Sequence, residues 1–247
     1  MNRCLWYDLA FRKYIIINNY GDINIRAFAI RMTYILMALD EIGFQYYLGV
    51  DNDTHDTMMF YFNYFITLAT GIFDALALRT KSKYNIEFIG DDNPSKISIN
   101  KKSGVEFLKK IRESNPELRR HITTFSNYIK LIYEIREIVV HREMFEHIRM
   151  PINNFLKIDE NICKMLKNFK KEKSEEEKIN NWGLYEDFNF KCLDMYIFAK
   201  RAVKEIILFS RRFLELIDYS QKGLGKLPNW LRGSIKEFEE DALCNYL

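Results

Sequence analysis

LIYEIREIVVHRE, Leu131 to Glu143, is an apolar-striped stretch closed by an arginine and a histidine. The helix that carries it is expected to begin at Asn115-Pro116-Glu117. Asn is a good N-cap, Pro is tolerated at the first helical position, and Glu complements the positive start of a helix. Leu118, Ile122, Phe125, Ile129 and Ile132 then recur at steps of four and three, which lays them along one stripe facing a core. The same rhythm lands next on Arg136 and then on Val139. A guanidinium therefore falls where the stripe asks for a buried side chain. Burying an always-charged group alone is costly, so Arg136 is expected to meet a carboxylate, carbonyls, an inter-subunit cleft or an anionic ligand.

His141 lies five positions beyond Arg136, which turns it roughly 140° away on a straight helix. A site using both side chains needs the reach of the arginine, a loosened helix end, or a second copy of the helix brought alongside by a two-fold axis. Glu137 and His141 are four apart and can touch, and a carboxylate beside imidazole favours its charged form, which suits acid/base work near neutral pH. The other reading of these residues is structural: a satisfied arginine and a surface histidine that favours the negative helix terminus.

Arginine, four residues, then histidine at the end of a long helix resembles the signature of the HEPN domains, the higher eukaryotes and prokaryotes nucleotide-binding family. The resemblance rests on Arg136 and His141. It is supported by the Ile-rich helix before them, by Arg142 after them, and by the upstream apolar helix ending in DALALRTKSKYNI, Asp74 to Ile86. It covers roughly residues 53 to 143 and resembles a bacterial branch of the family. It implies an all-α, up-and-down bundle, a homodimer, and a metal-independent endoribonuclease with no cofactor, working as a toxin or phage-defence effector. For a toxin member it also implies a nucleotidyltransferase-type antitoxin. Other members are inactive modules that bind RNA, a nucleotide or a partner protein. Glu137 departs from the family pattern, where Asn, Asp or His often follows the arginine. Arg142 to His147 is a second match to the same spacing.

Composition agrees with a helical chain. Of 247 residues, 48% are hydrophobic and 15% aromatic, enough for a sizeable core, whereas 10 Gly and 4 Pro leave little room for many tight turns. A net charge of +3 is too mild for a polybasic nucleic-acid sleeve, so any RNA contact must be local. Cys4, Cys163, Cys192 and Cys244 are scattered, which argues against zinc and against a disulfide scaffold and fits a reducing cytoplasm. Arg3, Asp8, Arg12 and Lys13 interrupt every apolar run of a would-be signal peptide.

Along the chain, residues 1–20 read as an aromatic-rich arm. The first helix spans about Ile23 to Tyr47, with Ile30, Tyr34, Met37 and Glu41 or Ile42 at helical spacing. DNDTHD, Asp51 to Asp56, lacks the Gly and Glu of a calcium loop and reads as a capped turn. Met58 to Leu78 carries one charge, Asp74, in 21 residues. Its polar residues and the cost of Asp in a bilayer point to the central helix of a bundle rather than a membrane span. Asp74 is then a buried or groove-lining carboxylate that pairs with a structural donor or positions Arg136. Residues 81–102 read as an insertion loop or small hairpin, and Ser103 with Glu106 makes a capping box for a short helix to about Ser114. The charge-dense segment 164–181 reads as solvated helix or loop. A last helix, about Phe190 to Tyr219, turns Leu193, Ile197, Val203, Ile206 or Ile207, Phe213 and Ile217 inward, with Arg201, Arg211 and Arg212 on its other sides. Residues 223–247 form a tail.

The expectation is one domain, residues 21–222: four or five main helices, dimeric through the motif helix. Arg136 and His141 are the candidate catalytic residues, with Glu137, Arg142 and Asp74 supporting them.

Overall fold

A computed structural model describes residues 23–48, 51–88, 96–141, 147–149, 154–171, 182–187 and 190–217. The expected arm at 1–20, the tail at 223–247, Arg142 and residues 172–181 lie outside these. The described residues are mostly helical: α1 (Ile23–Leu48), α2 (Asn52–Lys83), α3 (Val105–Ser114), α4 (Pro116–Thr124), α5 (Ser126–His141), α6 (Glu160–Lys171) and α7 (Met195–Ile217). Four short strands accompany them: β1 (His147–Arg149), β2 (Asn154–Lys157), β3 (Leu184–Asp187) and β4 (Phe190–Asp194).

The long helices form where apolar residues recur at helical spacing and polar ones close the ends. Asp51 caps α2: its carboxylate accepts the Thr54 N–H at 2.7 Å, and the Thr54 hydroxyl accepts the Asp51 N–H at 3.1 Å. At the other end Asn85 takes the left-handed conformation, φ 48°, which Asn tolerates better than most residues. Met58, Phe62, Phe65, Ile66, Ala69, Ile72, Phe73 and Leu76 of α2 are all buried. This helix is long and apolar enough to cross a membrane, but 61% of its apolar window is buried inside the fold, as in a bundle core. Its main neighbour is α1, and α5 and α7 also pack on it.

Several boundaries differ from the sequence reading, each for a local reason. The helix expected to run unbroken from Pro116 is interrupted at Phe125, between α4 and α5. Thr123 and Thr124 each donate their hydroxyl to the carbonyl four residues back, at 2.8 and 3.2 Å, which loosens the backbone ladder. The capping box at Ser103 does not form; the N-cap of α3 is Gly104. The backbone turns so tightly there that a Cβ on Gly104 would lie 1.7 Å from the Ser98 carbonyl oxygen. Within the charge-dense segment, Lys164 to Lys171 are helix, one of the two readings given for it, and belong to α6, where Lys167 meets Glu186 of β3 at 2.6 Å.

The small sheet was not anticipated. Its strands are antiparallel in the order β1-β2-β4-β3, with Phe155 opposite Asp194 and Leu184 opposite Leu193. Residues Phe190 to Asp194 are thus strand, and the last helix starts only after Asp194, whose carboxylate accepts the Ile197 N–H at 2.8 Å. Val203, Ile206, Phe213 and Ile217 turn inward as expected. Arg201 does not decorate an outer side: it is buried, paired with Glu205 at 2.7 Å and set over the Trp182 ring.

On α1 the residues read at helical spacing do not share the buried face. Ile25, Phe28, Met32, Ile35, Leu39 and Ile42 are buried, whereas Ile30, Tyr34 and Met37 are exposed.

Candidate functional site

α5 presents Ile129, Ile132 and Ile135 to the core and carries Tyr133 and Arg136 at the edge of that buried face. Tyr133 leans on Phe73 of α2, its ring 6.2 Å away and nearly parallel, at 24°. That contact aims its hydroxyl at the next residue of α2, and Tyr133 Oη donates to Asp74 Oδ1 at 2.6 Å. Arg136 follows Tyr133 by one helical turn and so reaches the same carboxylate field. Its guanidinium also approaches the Glu137 carboxylate, at 3.9 Å. The arginine side chain is 36% exposed, so it does not occupy the buried position that the stripe suggested. It lies at the rim, where the helix emerges.

A third helix contributes. Arg31 of α1 lies across α2 at Gly71, one turn before Asp74, and a Cβ on Gly71 would sit 2.6 Å from Arg31 Nε. The missing side chain is what lets the arginine lie flat there. Ser98, buried in the segment before α3, offers its hydroxyl to Tyr133.

Asp74 is exposed as a residue, yet neighbouring side chains desolvate its carboxylate enough to raise its pKa above 3.8. The Tyr133 hydrogen bond and the charges of Arg136 and Arg31 oppose that rise. Tyr133 is pushed far above the usual phenol range, first by burial and then by Asp74. It therefore stays neutral, and its one proton is committed to Asp74. The charges of Asp74 and Arg136 attract one another across this edge, and the guanidinium stays partly exposed at the surface, open to an anion.

α5 remains helical through His141, so its backbone turns roughly 140° between Arg136 and His141. The side chain of His141 and all of Arg142 lie outside the described residues. The structure thus brings Arg136, Glu137 and Asp74 together. Sequence reasoning missed Arg31, Tyr133 and Ser98. The one available signal was Gly71, an isolated glycine inside a long apolar helix, which marks a close approach. No protein-family model matches the chain, and no curated protein or solved structure matches it either.

Proposed function

We propose that the chain is a metal-independent endoribonuclease of the HEPN type, acting in the cytoplasm as a homodimer in a toxin or phage-defence setting. The observation that carries this reading is Arg136: a partly exposed guanidinium at the rim of α5, in the field of the Asp74 carboxylate that Tyr133 holds, five residues before His141. In the mechanism, the RNA 2′-hydroxyl oxygen attacks the adjacent phosphorus and the bond to the 5′ oxygen breaks, leaving a 2′,3′-cyclic phosphate. His141 handles proton transfer and Arg136 stabilises the charge developing on the phosphoryl oxygens. The buried free thiols of Cys163 and Cys192 fit a reducing compartment.

A second reading is a silent module that binds RNA, a nucleotide or a partner protein. It is favoured by the two carboxylates, Asp74 and Glu137, which offset the charges of Arg136 and Arg31 and leave little net charge for a phosphate. Cleavage of single-stranded RNA in EDTA separates the two. On the enzyme reading, Arg136→Ala and His141→Ala each lower cleavage about 10²-fold or more, while His147→Ala, which removes the second spacing match, leaves it unchanged. Equal cleavage by the wild type and the His141 variant would remove the reading, as would activity lost in EDTA. RNA binding without any cleavage would favour the module.

A further inference from the structure

Of the exposed large apolar side chains among the described residues, all but Val105, Tyr185 and Leu208 lie on α1 and α2. Most gather towards the turn of this helical hairpin: Tyr34, Met37, Phe44 and Leu48 on α1, Phe60 and Tyr64 on α2, each between 39% and 65% accessible. A patch of this kind marks a contact site. The two rows share a surface. Arg31 lies across α2 at Gly71, which fixes the side of α2 that adjoins the outer face of α1. From Gly71 towards the turn, Thr67, Tyr64, Phe60, Asp56 and Asp53 follow at steps of three and four along that side. On α1, Tyr34, Met37, Glu41, Phe44 and Leu48 continue from Arg31 at the same steps.

The patch carries charge of one sign. Residues 32–78 contain no lysine or arginine, although 37 of the chain's 247 residues are one or the other. Asp40, Glu41, Asp53 and Asp56 lie on or beside the patch, and none of them makes an ion pair among the described residues. Burial and then Glu41 raise the pKa of Asp40, with no cation opposing the rise. Such a face repels a nucleic-acid backbone or an anionic membrane. It attracts an apolar segment that carries several cations.

The chain holds such a segment after α7. Residues 222–236, KGLGKLPNWLRGSIK, contain four cations, Lys222, Lys226, Arg232 and Lys236, and no acid, with Leu224, Leu227, Trp230, Leu231 and Ile235 interleaved. The N-terminal arm matches less well, because Asp8 offsets one of its cations, Arg3, Arg12 and Lys13. The distance is within reach. α7 ends beside the C-terminal end of α2, since the Leu216 carbonyl and the Tyr84 hydroxyl both accept from the Asn115 amide. Tyr64 lies one patch-length back along α2, about 30 Å from Tyr84 at the helical rise. The chain from Ile217 to Lys226 spans about the same when extended.

We propose that the outer face of the α1–α2 hairpin is the docking surface for residues 222–236 of the same chain, their cations set against its unpaired carboxylates and their apolar side chains against Phe44, Phe60 and Tyr64. The contact lies towards the hairpin turn, away from Asp74 and Arg136. It is independent of the ribonuclease reading, and RNA plays no part in its test.

A water-soluble carbodiimide joins a lysine amine to a carboxylate that it touches. The full-length chain, as a mixture of nitrogen-15-labelled and unlabelled copies, is treated with it and the linked peptides are identified by mass spectrometry. Because residues 32–78 carry no lysine, each amide on Asp40, Glu41, Asp53 or Asp56 reports what covers the face. Amides to Lys222, Lys226 or Lys236 within one labelled form are the expected result. Links only to lysines outside residues 222–236, links joining the two labels, or no links at all overturn the proposal. Trypsin gives a second measure. Cleavage after Lys226 and Arg232 should be about 10-fold or more slower in the chain than in a synthetic peptide of residues 218–240. Glu41→Gln with Asp56→Asn adds no tryptic site, should leave the fold intact by circular dichroism, and should remove most of that protection. Equal cleavage of chain and peptide, or protection that the paired variant leaves unchanged, also overturns it.

Discussion

Asp194 carries two opposed demands in one side chain. Its Oδ1 caps α7 by accepting the Ile197 N–H, which favours an acceptor with full charge. The residue is fully buried, and that burial raises its pKa above 3.8 against the hydrogen bonds from the Ile197 and Tyr196 backbone and the Tyr46 hydroxyl. A carboxyl whose folded pKa lies above its unfolded value binds its proton better in the folded state. Its contribution to stability is therefore complete below about 3.8 and declines as pH rises through the folded value. Asn keeps the capping oxygen and removes the charge. Asp194→Asn should match or exceed wild-type stability at pH 7.5 and show less loss between pH 4 and 7.5, whereas Asp194→Ala should cost about 1–2 kcal/mol through the lost cap. Urea unfolding at the two pH values measures both. If Asn proved as damaging as Ala, the carboxylate charge itself would be what the site needs.

Among the elements, the junction at Asn115 joins three helices through one amide. Its Oδ1 accepts the Leu118 N–H at 2.9 Å to cap α4, while its Nδ2 donates to the Tyr84 hydroxyl at 2.8 Å and to the Leu216 carbonyl at 3.0 Å. Asn115→Ala removes a cap and two further hydrogen bonds and should cost about 2–3 kcal/mol in urea unfolding. A loss under about 1 kcal/mol would mean that water replaces all three. The start of α4 could be read from Asn-Pro-Glu because a cap is a local matter, decided within four residues. The break at Phe125 could not, since the apolar stripe continues across it and only the threonine hydroxyls betray it. Strand β4 was hidden for a similar reason. Lys191, Cys192 and Leu193 carry no strict alternation of burial, and pairing with β2 and β3 is decided by distant partners. The cap at Asp194 was the overlooked signal. The two faces of α1 are equally apolar, so periodicity identified a helix without saying which side turns inward.

Across the whole molecule, the candidate site is built on the core instead of being attached to it. Phe73 is fully buried and sits among Tyr128 and Tyr133 of α5 and Phe209 of α7, with ring centroids 5.5 to 6.2 Å away. His121 of α4 stacks on the other side of this group, 5.1 Å from Phe209 and hydrogen-bonded to its carbonyl. One ring thus ties α2, α5 and α7 together, and the residue after it is Asp74. The motif helix and the apolar central helix were both legible in the sequence, because each is long and periodic. Their meeting at Tyr133 and Asp74, 59 residues apart, was not, because only tertiary packing selects it. The arrangement makes stability and site geometry inseparable at this point. Phe73→Ala removes a large buried ring and should cost about 3–5 kcal/mol, a large part of the stability of an ordinary domain. Phe73→Leu fills most of the volume and should cost clearly less, yet it withdraws the flat surface against which Tyr133 is aligned. The Leu variant should therefore stay folded by circular dichroism while the Asp74 carboxyl, followed by carbon-13 NMR, titrates at a higher pH, since the Tyr133 hydrogen bond that holds its pKa down is weakened. An unchanged Asp74 titration in a folded Phe73→Leu protein would show that Tyr133 is positioned by α5 alone and that the site does not depend on the aromatic core beneath it.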